Sequence, residues 1–271
     1  MQPLVIKVGG AFIGDKDAAR GLFAVIAQLI KTRPVILVHG GGPIVEQWMQ
    51  ALNLKSTKID GLRVTTDVHM PYVVGALAGT ANTQLVAQAR ACGLEPVGLS
   101  LADAHLVHCT QMQAKYGAVG NVEPADAKLL NTLLAQGFLP IISSISCSDG
   151  GQLLNINADQ AATAVAQLLK AELVMLSDVV GVLDKQQSLL AQLSPRQIEL
   201  LAEQKVIRDG MLVKVKAALN AANSIGLPVT IASWKNPQSL LQMLAGNSAG
   251  TRIYPADVQI ADETKLDQEH P

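Results

Sequence analysis

The sequence predicts an α/β fold built on a mainly parallel sheet, and three observations point to it. Short apolar runs, Leu4 to Val8, Val35 to Val38 and Leu173 to Leu176, alternate with longer stretches that carry apolar residues at helical spacing. Runs this short and this uniformly apolar suit strands buried on both faces of a sheet. Two of them end in glycines, Gly9-Gly10 and Gly40-Gly41-Gly42, and a helical pattern follows each, giving β-α-β-α within the first fifty or so positions. Polar side chains sit at the joints of a central helix and strand, Asn155 and Asp159 before the helix and Ser177 and Asp178 after the strand. Ligands of open α/β sheets bind at such carboxyl ends of strands, where helix N-termini also point.

The elements follow in order. Leu4 to Val8 is a strand, and the helix from about Asp17 to Lys31 buries Leu22, Phe23, Ile26, Leu29 and Ile30. Pro34 breaks that helix before the strand Val35 to Val38. Pro43 suits the first turn of the next helix, which is expected to turn Ile44, Val45, Trp48, Met49 and Leu52 inward. Lys55 to Thr65 reads as a hairpin turning at Asp60-Gly61, with Arg63 on its returning arm. Thr66 to Ala91 is largely helical with a kink around Gly75 and Gly79. Val97 to Leu99 and Leu106 to Thr110 are strands, Tyr116 to Pro124 a loop or hairpin, and a helix then runs to Ala135 with Gly137 as its cap. After the strand Leu139 to Ser144, Asp149-Gly150-Gly151 turns the chain into the central helix, which starts near Asn157 and carries Ala162, Val165, Ala166 and Leu169 on one stripe. Ser194-Pro195 opens a helix to about Lys205, and a further helix runs from Gly210-Met211 to Ser224. Val229 to Ala232, Asn236 to Ala245 and Thr251 to Tyr254 are strand, helix and strand, followed by a polar, frayed tail.

Composition excludes several classes of function. The 271 residues are 49% apolar and 16% charged, which rules out a disordered chain. A net charge of −1 argues against nucleic acid or an anionic membrane as the main partner. No apolar run reaches the length of a membrane span, and MQPLVIKVGG lacks the basic and apolar regions of a signal peptide. Cys92, Cys109 and Cys147 have no metal-type spacing, and three cysteines cannot all pair. A reduced, cytoplasmic setting is expected.

Several residues suggest chemistry, and each also has a plainer reading. The glycine turns offer backbone N–H groups to an anion, or are tight turns only. Neither is a P-loop, because Asp15 stands where a lysine is needed, and neither is a dinucleotide fingerprint, because Val45 occupies the third glycine position. Lys7 lies in an apolar strand, where a lysine is costly unless paired, used, or on an edge. Lys214 falls in the first turns of a helix, against the dipole, and alone would read as a surface lysine. Asp159 is ordinary for a first turn, and Arg63 is either a surface residue or a bidentate carboxylate clamp. The five histidines show no metal spacing, and no general base stands out. The latter makes sense if the nucleophile is already ionised, as a carboxylate with a pKa near ~4 would be.

These residues sit in motifs that resemble the amino-acid kinase family. IKVGG (Ile6 to Gly10), VHGGG (Val38 to Gly42) and LSDVVGVLD (Leu176 to Asp184) are the general motifs. DGMLVKVKAAL (Asp209 to Leu219) continues the match, and GLRVT (Gly61 to Thr65), GALAGTAN (Gly75 to Asn82) and NINADQAA (Asn155 to Ala162) extend the resemblance toward the branch that phosphorylates N-acetylglutamate for arginine synthesis. The resemblance implies an open α/β/α sandwich in two lobes. Residues 1–172 would bind the acceptor and dimerise, 173–255 would bind ATP, and 256–271 would be a polar tail. It implies transfer of the γ-phosphoryl group of ATP to a side-chain carboxylate, with Mg²⁺ held mainly by the nucleotide phosphates and no protein metal site. Lys7 and Lys214 match the family's transition-state lysines and Asp159 the aspartate that orients them. Gly41, Gly42, Arg63 and Asn155 match acceptor contacts. Gly9, Gly10, Asp178, Val179, Val180, Gly181, Val182, Leu183, Val206, Ile207 and Arg208 fall where the family holds the nucleotide.

A homodimer insensitive to arginine is expected, because Met1 to Pro3 are too short for the N-terminal helix that interlaces dimers in the arginine-inhibited members the motifs resemble. Other acceptors of the same family (glutamate, aspartate, carbamate or a nucleoside monophosphate), a non-catalytic sensor of small anions, and more distantly a nicotinamide dehydrogenase remain open.

Overall fold

The computed structural model describes residues 1–244 and 249–258. Its first half begins with β1 (Leu4–Val8), the one-turn helix α1 (Gly10–Ile13), α2 (Lys16–Leu29), β2 (Val35–His39) and α3 (Gly42–Ala51). The hairpin β3 (Lys58–Ile59) and β4 (Leu62–Arg63) turns at Asp60 and Gly61, whose φ values of 52° and 80° explain the Asp-Gly pair. A long helix follows in three pieces, α4 (Met70–Val74), a π-helical stretch Gly75–Ala81, and α5 (Asn82–Ala91). The glycines expected to kink it mark a change of helical pitch instead. Then come β5 (Pro96–Ser100), β6 (Val107–Gln111), β7 (Val119–Pro124), α6 (Lys128–Ala135), β8 (Leu139–Ser143), β9 (Ile145–Cys147) and β10 (Leu153–Ile156).

The second half contains α7 (Ala158–Leu169), β11 (Glu172–Ser177), β12 (Gln192–Leu193), α8 (Pro195–Glu203), α9 (Asp209–Ile225), β13 (Val229–Ser233), α10 (Gln238–Leu244) and β14 (Thr251–Ile253). Helix α8 starts at the predicted cap. The Ser194 hydroxyl accepts from Gln197 N–H and the Gln197 side chain accepts from Ser194 N–H, a complete capping box. The expected end of α10 at Ala245 and the tail from 259 onward lie outside the described residues.

Eight strands form one sheet in the order β12-β14-β13-β11-β1-β2-β8-β5. All adjacent pairs are parallel except β13 with β14. A smaller mixed sheet, β6-β7-β10-β9, stands beside it, so Tyr116 to Pro124, read as loop or hairpin, supplies a strand that pairs antiparallel with β6 and parallel with β10.

Side chains alternate across the large sheet. Val5, Ile36, Val38, Leu173 and Met175 face the layer of α7 and α9. Leu4, Ile6, Val8, Leu37 and Val174 face the opposite layer, with α2 and α5. The result is a three-layer α/β/α sandwich. Leu52, expected inward, is 45% exposed, since α3 ends at Ala51 and the chain turns away there.

The alternation also places Lys7. It shares the Val5 face of β1, so it points toward α7, at the carboxyl end of the strand. Strand β1 is where the sheet order reverses, with β2 on one side and the later strand β11 on the other. Such a switch point opens a crevice at the strand ends.

Candidate active site

The crevice is built from strand ends and the opening turns of α3, α7 and α9. Helix α7 enters it with Asn157 as its cap, the side chain accepting from Asp159 N–H at 2.8 Å and Gln160 N–H at 3.3 Å. That cap fixes the first turn and aims Asp159 at β1, where Lys7 Nζ lies 2.7 Å from Asp159 Oδ1. Lys7 retains 16% side-chain exposure, so its charge is half sheltered and paired.

Lys214 rises from the second turn of α9 and lies 2.6 Å from Asp178 Oδ1. The hydrogen bond from Lys214 is the main reason the Asp178 carboxyl is held below its usual range. Lys7, Asp159 and Lys214 line one small cavity, with Ser177, Met175 and Ile231 as further walls. The resemblance implied that Asp159 orients both lysines. The geometry gives each lysine an aspartate of its own, Asp159 for Lys7 and Asp178 for Lys214.

A cleft of about 180 Å³ adjoins, with Gly41, Gly42, Arg63 and Asn155 all on its walls. The four residues matched to acceptor contacts are thus brought together from α3, the hairpin and β10. Arg63 Nη1 donates to Glu46 Oε2 at 3.0 Å and to Ser56 Oγ, and Nη2 donates to Gly42 O at 3.3 Å. The Arg63 hydrogen bond, foremost, holds the Glu46 carboxyl low. Asn155 Nδ2 donates to Thr65 Oγ1 at 3.1 Å, which fixes the amide's orientation across the cleft.

The two glycine turns meet here. A Cβ on Gly10 would lie 2.9 Å from Gly42 N and 2.3 Å from Pro43 Cδ, so only glycine allows the close approach. Neither Gly41 nor Gly42 N–H has an acceptor among the described residues, which leaves both for an anion.

The segment Asp178 to Leu183 leaves β11 as a loop tied down by β14. Thr251 Oγ1 accepts from Val182 N–H at 2.7 Å, and Gly181 has φ of +149°. Val182 and Ile207 are buried in the core, so their side chains face away from any ligand, whereas Asp178, Val180 and Arg208 are exposed. Val206 to Arg208 form the turn between α8 and α9, with Arg208 as the cap of α9.

Sequence reasoning missed His39 and Asn82. Both are buried, His39 at the carboxyl end of β2 and Asn82 at the start of α5. His39 Nδ1 is 2.7 Å from Gly40 O, and its Nε2 is 3.0 Å from Asn82 Nδ2. Burial lowers the His39 pKa to about 4, with the Gly40 carbonyl opposing in part. The signal was present, a histidine ending an otherwise apolar strand, but histidines were weighed for metal spacing alone.

The sequence pattern described as "Amino acid kinase family" matches residues 2–233. The chain belongs to the amino acid kinase family. Among its curated relatives, acetylglutamate kinase of Aeromonas salmonicida (strain A449) is 50% identical over 254 residues, covering 93% of this chain and 98% of that one. Acetylglutamate kinase of Pasteurella multocida (strain Pm70) is 51% identical over 257 residues, covering 94% and 100%.

Solved structures share the amino acid kinase fold. A protein of Streptococcus mutans UA159 superposes with a TM-score of 0.77 at 29% identity, covering 94% of this chain and 99% of that one. Carbamate kinase of Giardia does so with 0.65 at 17% identity, covering 94% and 99%, a likeness of fold alone.

Proposed function

We propose that the chain transfers the γ-phosphoryl group of ATP to the side-chain carboxylate of N-acetyl-L-glutamate, giving N-acetyl-L-glutamyl 5-phosphate for arginine biosynthesis. The observation that carries it is the 50–51% identity, over nearly the whole of both chains, to relatives named acetylglutamate kinase. In the reaction, an acceptor carboxylate oxygen forms a bond to the γ-phosphorus while the bond from phosphorus to the β,γ-bridging oxygen breaks. The electron pair leaves with ADP. The acceptor is ionised at neutral pH, so no general base is needed.

The residue roles are our reading of the site. Lys7 and Lys214 neutralise charge on the equatorial oxygens and on the leaving group, where donors placed in advance are most effective. Asp159 holds Lys7 in line, and Asp178 holds Lys214. Arg63 and Asn155 grip the acceptor, while Gly41 and Gly42 donate backbone N–H to its charged end. Gly9, Gly10, the loop Asp178 to Leu183 and the turn Val206 to Arg208 hold the nucleotide. In this reading the residues assigned to the acceptor lie in 1–172 and those assigned to the nucleotide mainly in 173–255, with β1 and β11 paired directly across that boundary.

Mg²⁺ would be held mainly by the nucleotide phosphates and would supply positive charge there. Asp159 and Asp178, the two carboxylates nearest the lysines, are each paired with one of them. A homodimer is part of the same reading. A cytoplasmic setting is supported by the three free cysteines. No helix among the described residues is long and apolar enough to cross a membrane.

An ADP-release assay with N-acetylglutamate, glutamate, aspartate and carbamate tests the assignment. Turnover restricted to N-acetylglutamate is the expected result. Faster turnover of free glutamate would move the protein to another branch of the family. Light scattering tests the dimer.

A further inference from the structure

The glycine turn beside the acceptor cleft is held from behind by two buried polar side chains. His39 is fully buried and Asn82 is 5% exposed. The Asn82 amide nitrogen donates to Ile141 O at 2.8 Å and more weakly to Leu99 O at 3.4 Å, and lies 3.0 Å from His39 Nε2. A Cβ on Gly98 would come within 2.3 Å of Asn82 Oδ1, so the amide is packed tightly against β5 as well.

These contacts determine the histidine's protonation. An amide nitrogen only donates, so His39 Nε2 must accept, and the proton must sit on Nδ1. Nδ1–H then donates to Gly40 O, 2.7 Å away. An imidazolium would set Nε2–H against the Asn82 N–H groups. The neutral Nδ1–H form therefore satisfies both ring partners, Gly40 O and the Asn82 amide, at once.

The consequence lies one peptide further on. The Gly40 carbonyl and the Gly41 N–H belong to the same planar trans peptide and point in opposite directions. Drawing the carbonyl back toward the buried ring turns the Gly41 N–H the other way, and Gly41 is a wall of the acceptor cleft. Gly41 is also clamped from the side, where a Cβ would lie 2.5 Å from Leu77 Cδ2 and 3.6 Å from Ala81 Cβ. Leu77 and Ala81 belong to the π-helical stretch that leads straight into Asn82. Resting on the acceptor-binding reading above, we infer that His39 and Asn82 are positioning residues which aim the Gly41 N–H at the acceptor's charged end, and that the π-helical turn exists to bring Leu77 and Asn82 to that peptide together.

The test combines kinetics with the histidine's tautomer. In Asn82→Leu and His39→Leu, the acceptor KM rises by about tenfold or more, the effect of a misdirected hydrogen bond to a charged group, while the ATP KM stays within about twofold. His39→Asn, whose amide nitrogen takes the place of Nδ1–H and can still donate to Gly40 O, recovers much of the acceptor affinity. Nitrogen-15 NMR of the unmodified protein shows His39 as the neutral Nδ1–H tautomer through pH 6 to 8. An Nε2–H tautomer or an imidazolium in that range overturns the inference, and so does a folded Asn82→Leu variant with unchanged acceptor KM. If the variants fail to fold, the tautomer still decides. Absence of turnover by the unmodified protein is the separate signature of a wrong function assignment. Turnover of a different carboxylate lets the same KM comparison be made with that substrate.

Discussion

Lys7 Nζ and Asp159 Oδ1 stand 2.7 Å apart across the gap between β1 and the first turn of α7. One is a lysine on the α7-facing side of a core strand, the other a carboxylate at a helix start where negative charge is favoured. Each explains how the other is tolerated. One ammonium N–H is spent on the aspartate, and the remaining two are available to phosphoryl oxygens.

Replacement of either lysine should act on the chemical step. Lys7→Ala and Lys214→Ala are each expected to lower kcat by roughly 10²–10³-fold, with smaller changes in KM, because the contacts strengthen as charge spreads over the transferring group. Steady-state kinetics on folded variants checks this. A kcat within about threefold of the parent would remove that lysine from the mechanism.

Arg63→Lys should separate the two substrates. The guanidinium serves Glu46, Ser56 and Gly42 at once, a geometry that a single ammonium cannot reproduce. The acceptor KM is expected to rise about tenfold, with the ATP KM unchanged. A rise confined to ATP would place the hairpin over the other ligand.

Acid should destabilise the protein through His39. Its pKa is about 4 in the fold against 6.5 ordinarily, so between these values the unfolded chain takes up a proton that the folded chain refuses. Stability is therefore fully present above about pH 6.5 and falls as pH drops toward 4, by roughly 3 kcal/mol from this residue. The groups touching the ring, the Gly40 carbonyl and the Asn82 amide, do not titrate. Urea midpoints measured from pH 4 to 8 should slope less for His39→Gln than for the parent. Parallel curves would contradict the shift. The depressed carboxyls of Glu46, Asp60 and Asp178 add a loss at lower pH that both proteins share.

Gly181→Ala should be among the most damaging substitutions outside the catalytic residues. Its φ of +149° is strained for any residue with a Cβ, and that Cβ would lie 2.6 Å from Leu189 Cδ1 and 3.1 Å from Thr251 N. A loss of about 2–4 kcal/mol is expected, with a raised ATP KM in whatever protein remains folded. Thermal melting and ATP titration check the two parts. A variant with parental Tm would show that the loop relaxes without cost.

Much of this molecule was legible because it is written locally. Apolar runs and their glycine stops marked β1 and β2, Asp60-Gly61 marked the hairpin, and Ser194-Pro195 marked α8, each within a few positions of its observed bounds. Backbone conformation at a turn or cap depends on the residues that make it, so those signals survive without knowledge of the rest of the chain. The motifs likewise named the cleft residues, since Gly41, Gly42, Arg63 and Asn155 do share one wall.

Pairings between distant segments were not written in that way. The glycines at 75 and 79 announced an irregular helix, but not that Trp48 lies against Gly75 and Leu77 against Gly41. Strand β7 reads in the sequence as loop or hairpin because it gains its identity from β6 and β10 on either side, antiparallel to the first and parallel to the second. The sequence by itself determined the alternation, the turns and the family of the site. Only the tertiary structure decided that Lys214 meets Asp178 and not Asp159, and that His39 reaches Asn82, whereas Lys7 meets Asp159 as the resemblance implied. The physical reason is reach. A hydrogen bond or ion pair forms only within about 3–4 Å, and which side chains come that close is set by how helices and strands from both halves of the chain stack on one sheet.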